Sequence, residues 1–158
     1  MKAQLGTGEM RVRMSAERER EVQLRTLSRA LRDVHRSLME TARDRYEFVR
    51  GHVRGRGELF DLLLHGDDFA WLGALTGLIV EIDELAARDP APTPAETEEV
   101  GTLVRALISS SDDPDAFGSC YVALLASEPR VVMSHIDLRH ALGRLPEPEQ
   151  ASGRAERT

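Results

Sequence analysis

The chain has 158 residues, a net charge of −6 and an aromatic content of only 4%. That length suits one domain of ordinary size, able to bury about two thirds of the unfolded chain's surface. Its single cysteine, Cys120, excludes an internal disulfide, and no apolar run approaches the roughly 20 residues needed to cross a membrane.

Leu, Ala, Arg and Glu are abundant and favour helix, while β-branched residues are scarce outside short patches. One lysine stands against 20 arginines, as expected of a high-GC bacterial genome. The first ten residues lack the apolar core of a secretory signal, so a cytoplasmic location is expected. Charge is unevenly spread. Residues 1–57 hold one Lys and 13 Arg against eight acids, a net +6, which leaves −12 for the remainder. Such asymmetry favours attraction between the two parts, within one fold or across a dimer. The competing readings are an anionic partner, or solubility alone.

Residues 1–14 are expected as a flexible N-terminal segment, with a long helix starting at Ser15 as its N-cap. Leu24, Leu27, Leu31, Val34 and Leu38 follow at spacings of 3 and 4, and Ala42, Tyr46 and Val49 extend this heptad-like seam to Gly51. Arg and Glu interleave on the other faces. A basic loop, Gly51-His-Val-Arg-Gly-Arg-Gly57, leads into a short helix over 58–65 that Gly66 stops. Asp67 or Asp68 is then expected to cap a central helix running to Ala87.

That helix opens with the twelve uncharged residues Phe69-Ala-Trp-Leu-Gly-Ala-Leu-Thr-Gly-Leu-Ile-Val80, which hold the only Trp. A run this apolar is expected to be buried on nearly every side. Ala70, Gly73, Ala74 and Gly77 are spaced to let another backbone come close, and the first helix is expected to cross there. Thr93-Pro94-Ala95-Glu96 carries the marks of a capped helix start. Val100, Leu103, Val104, Leu107 and Ile108 form the expected buried face of that helix. Asp113-Pro114 opens the next, with Phe117, Cys120, Tyr121, Leu124 and Leu125 inward. A last helix turns Val131, His135, Leu138, Leu142 and Leu145 inward, and residues 146–158 form a polar tail expected to be disordered. Nothing alternates like a strand. The chain therefore reads as an all-α, single-domain helical bundle of about five or six helices over 15–145.

Chemistry is harder to find. Glu81 and Glu84 share a helix face, but no Glu-x-x-His occurs to complete a di-metal bundle site. Glu84 is more simply paired with Arg88 one turn on. His135 reads as a core histidine satisfied by hydrogen bonds, and Cys120 as a small core residue. No nucleophile motif or phosphate-binding fingerprint is present. The arginines of the first third are interrupted by Glu17, Glu19, Glu21, Asp33, Glu40, Asp44 and Glu47, and lack aromatic platforms, so nucleic-acid binding ranks low.

Leu62-Leu-Leu-His65, Phe69-Ala-Trp-Leu72 and Leu78-Ile-Val-Glu-Ile-Asp-Glu-Leu85, with the Pro-rich connector behind them, resemble the core of a set of uncharacterised bacterial helical proteins. The resemblance implies a helical fold and no activity, so it assigns no catalytic residue. The leading expectation is a non-catalytic bundle working through protein association, as a homodimer or with a protein partner. The rival is a small-ligand or metal-binding bundle, conceivably an enzyme, built on His65, Trp71, Glu81 and Glu84. Neither a cofactor nor a metal set is assigned.

Overall fold

In a computed structural model the described residues are 5–109, 111–114 and 116–147. They form six α-helices and one 3-10 helix, with no strand among them. Helix α1 (Leu5–Arg50) is followed by α2 (Arg56–His65), a 3-10 segment (Asp67–Leu72) and α3 (Gly73–Ala87). Helices α4 (Pro94–Leu107), α5 (Phe117–Ser127) and α6 (Pro129–Leu142) complete the order.

The heptad-like seam of α1 organises the core. Leu24, Leu27, Leu31, Val34 and Leu38 are each no more than 1% exposed. Sealing such side chains contributes about 1.5–3 kcal/mol each. They lie between α3 and α6, which flank α1 and run antiparallel to it. Ser28 donates to Asp83 at 2.5 Å, and further along α1 His35 meets Thr76 at 3.2 Å. On the other flank Arg130 reaches Glu40 at 3.4 Å and Asp44 at 3.2 Å. The seam is thus consumed inside the chain.

Several expectations are corrected. Helix α1 begins at Leu5, so Ser15 lies well inside it and caps nothing. Local pairing helps carry the helix back, as in Arg13–Glu17 at 3.1 Å. The expected tail beyond Glu147 lies outside the described residues. Neither Asp67 nor Asp68 caps a central α-helix, because the chain first makes a 3-10 helix, with Phe69 N–H bonded to Gly66 O at 3.1 Å. At three residues per turn Phe69 and Leu72 eclipse one another, and both enter the core.

Leu103 is exposed on α4, where Thr97, Val100, Gly101 and Val104 are buried instead. The capped start of α4 forms as expected. Thr93 Oγ1 accepts the Glu96 N–H at 3.2 Å, and Glu96 accepts the Thr93 N–H at 2.8 Å. The apolar run 69–80 is not sealed all round. Phe69, Leu72, Leu75 and Ile79 are buried, but Ala70, Gly73, Ala74, Thr76, Gly77 and Val80 are exposed. Among the described residues no neighbouring backbone crosses at the glycines: a Cβ added at Gly73 or Gly77 would meet nothing within 4 Å. Helix α1 packs on the opposite side, through Leu75, Ile79 and Ile82. The close approach belongs to Gly118 of α5, whose added Cβ would run into the carbonyl oxygen of Ser109.

Candidate functional site

The four residues singled out from sequence do not converge. His65 stands on α2 with its side chain 73% exposed, paired with Asp61 at 3.2 Å. Glu81 and Glu84 share the solvent face of α3. Arg88 turns away from Glu84 to bind Glu96 at 2.7 Å, because the capping carboxylate is already fixed in place there. The acid of this cluster that does structural work is Asp83, which faces α1 and accepts from Ser28 and Arg32. Among the described residues no group of three His, Cys, Asp or Glu is placed to hold a metal ion.

Of the four, Trp71 borders a cleft. A cleft of about 480 Å³ opens between the carboxy-terminal half of α1, the 3-10 helix and α5. Thr41, Ala42, Arg45, Tyr46, Val49 and Arg50 line it from α1, spaced so that successive turns face α5. Asp68 and Trp71 line it from the 3-10 helix, and Ser119, Cys120, Ala123 and Leu124 from α5. The indole is anchored by donating to Asp68 O at 3.1 Å, and its ring packs on Phe117 with centroids 5.6 Å apart. That contact starts an aromatic row: Phe117 stacks on Tyr121 at 5.5 Å, and Tyr121 meets His135 at 5.7 Å.

The far end of the row is tuned by burial. Tyr121 is fully buried and its hydroxyl lies 2.8 Å from His135 Nδ1. Burial pushes the Tyr121 phenol far above its ordinary value. Burial, with a lesser contribution from nearby Arg139, lowers His135 below the usual imidazole value. His135, expected in the core, is half-buried, and it has the expected hydrogen bond. Cys120, expected in the core, is half-buried at the cleft wall, with its thiol 3.8 Å from Pro114 O.

The chemistry of the cleft is cationic and aromatic. Arg45 is held by Glu128 at 3.4 Å and Arg50 by Asp68 at 3.8 Å, yet their side chains stay 58% and 63% exposed. With Asp68 the one lining carboxylate, the lining carries an excess of one positive charge. The hydroxyls nearby are already committed: Thr41 donates to Ser37 O and Ser119 to Asp113 O. The guanidiniums and the Tyr46 hydroxyl are thus the polar groups that face a ligand. Sequence reasoning missed Arg45, Tyr46 and Arg50 because they bear on the cleft only once α5 is placed beside α1. The continuation of the seam to Tyr46 and Val49 was their one advance signal.

A second surface stands out. Ala70, Gly73, Ala74, Gly77 and Val80 leave an apolar strip of small residues on the outside of α3, ending at Glu81 and Glu84. Val80 is 50% exposed. No helix of the described residues is long and apolar enough to cross a membrane. No protein-family model, no curated protein and no solved structure matches this chain.

Proposed function

We propose that this protein is a non-catalytic association module that forms a homodimer through the outer face of α3. The observation that carries the reading is the pair Gly73 and Gly77, which sit in a helix facing open space. Gly77, in the interior of α3, costs the helix about 0.5–1 kcal/mol relative to alanine. Nothing inside the chain offsets that cost, whereas a second helix lying across the strip would. A two-fold axis needs only one self-complementary patch. With the axis near Gly77 the two α3 helices run antiparallel. Glu81 and Glu84 of each copy then approach the amino-terminal turn of the other α3, where negative charge is favoured.

Sedimentation velocity at micromolar concentration tests this. The expected mass is twice the 17.6 kDa of one chain, and Gly77→Glu should return the protein to a monomer. A monomeric wild type sinks the proposal.

The cleft supports a second reading, binding of a small molecule with a flat apolar body and one anionic group. Its volume lies in the range of ligand sites. Trp71 and Tyr46 offer ring faces, and Arg45 and Arg50 the countercharge. Trp71 is the only tryptophan, so its fluorescence reports on the cleft directly. Titration with aromatic carboxylates should give saturable quenching that Arg45→Gln with Arg50→Gln abolishes. A purely linear response in the wild type counts against a site.

A further inference from the structure

Eight of the eleven arginines of α1 gather on one side of the helix. Arg11, Arg18, Arg25 and Arg32 lie one heptad apart, and so do Arg29, Arg36, Arg43 and Arg50. All eight belong to the single helix α1. At about 100° per residue they fall within an arc of roughly 60°, on the side opposite the buried seam, and span roughly 58 Å along the axis. Seven of the eight α1 carboxylates lie outside that arc, Glu21 and Glu40 just beyond its edges by about 20°. Glu47 is the exception, and it is occupied by Arg43 at 3.1 Å, His52 at 3.3 Å and the Val53 N–H at 3.0 Å.

Four of these arginines serve the fold or their own helix. Arg32 binds Asp83, Arg36 binds Asp33 at 3.4 Å, Arg43 binds Glu47, and Arg50 approaches Asp68 at 3.8 Å. Arg11, Arg18, Arg25 and Arg29 are exposed and make no ion pair or hydrogen bond among the described residues. A row of unpaired guanidiniums along one helix is a polyanion-binding feature, and it is created by the helical period rather than by net charge.

We infer that this stripe binds the phosphate backbone of duplex DNA without reading its sequence. Guanidinium matches phosphate in bidentate geometry. The stripe carries no aromatic ring for stacking bases, which disfavours single strands. A membrane-surface helix inserts one broad apolar face; that of α1 is sealed in the core from Leu24 to Leu38, and on the exposed arm Met10 and Met14 stand on the side opposite Val12, so they make no such face. Residues 6–16 of α1 are exposed on every side. A bare helix of this girth fits the B-form major groove, about 12 Å wide, whereas the A-form groove is too narrow to admit it. The inference does not rest on dimerisation through α3, which lies on a different surface.

The test is fluorescence anisotropy of the full chain with a labelled mixed-sequence DNA duplex across a salt series. Four released counterion sites predict a log–log salt slope of about −3.6, a loss of about 150-fold in affinity between 50 and 200 mM salt. The triple variant Arg18→Gln, Arg25→Gln, Arg29→Gln should flatten the slope by about 2.7. Arg56→Gln, Arg139→Gln, Arg144→Gln removes the same charge from outside α1 and should leave the slope unchanged. Circular dichroism would verify that both variants keep their helix. Absence of binding at 50 mM salt overturns the inference, as does equal weakening in the two triple variants. Equal or tighter binding to an RNA duplex, or to phosphatidylglycerol vesicles, overturns the assignment to DNA.

Discussion

Tyr121 is the bulkiest side chain the fold seals completely, and it is sealed with its hydroxyl against His135. Tyr121→Phe keeps the packing and removes the bond, so it should cost about 1 kcal/mol in urea denaturation. The neighbouring aromatics separate by burial. Phe69 is 1% exposed, whereas Trp71 is half-buried at the cleft. Phe69→Ala should therefore lose roughly 3–5 kcal/mol, and Trp71→Ala distinctly less, in thermal melts of both variants. This reverses the ranking that the lone Trp invites when the sequence is read by itself. Its place in an apolar run was legible; which side of that run faces solvent was not, because the run is apolar in every direction.

Among the elements, α4 shows local sequence chemistry acting undisturbed. Glu96 accepts hydrogen bonds from Arg88 and from the Thr93 amide and hydroxyl, which together hold its carboxyl down at about 2 against an ordinary value of 4.5. A carboxyl with a lowered folded value stabilises fully above its unfolded value and loses that contribution as pH falls through the folded one. The melting temperature of the wild type should therefore exceed that of Glu96→Gln at neutral pH. The gap should close between about pH 4.5 and pH 2, and a gap independent of pH would show that the pairing contributes little. Helix α5 depends on backbone approach instead. An added methyl at Gly118 cannot coexist with the Ser109 carbonyl. Gly118→Ala should lower the melting temperature sharply, while Gly57→Ala, set in open space at negative φ, should leave it nearly unchanged. Nothing in the spacing of Phe117-Gly-Ser-Cys120 announced that contact, since it depends on where the preceding connection folds back.

For the whole molecule, the length of α1 sets the shape. Its middle is clamped between α3 and α6, while residues 6–16 project without tertiary packing. A short helix without packing is marginal in water. Amides of residues 6–16 in the free protein should therefore exchange with solvent orders of magnitude faster than those of 24–38, as hydrogen-exchange mass spectrometry would record. Slow exchange throughout would mean that a partner covers the arm. The charge asymmetry is also partly internal. Arg32, Arg45 and Arg50 pair with acids beyond α1, and Arg130 returns the contact to Glu40 and Asp44.

What the sequence determined by itself is what depends on near neighbours along the chain. The helical class, the seam from Leu24 to Leu38 and the Thr93–Glu96 box are set within a few turns, where propensity, period and capping act directly. The tertiary structure alone decided which surfaces are used up. The heptad-like seam closed inside the chain. The central run that was expected to be enclosed kept one face open. The cleft beside Trp71 came from α1 and α5, more than 60 residues apart in the chain. Hydrophobic pattern states which side chains gain by leaving water, but the number and direction of the neighbours that cover them is a property of the assembled fold.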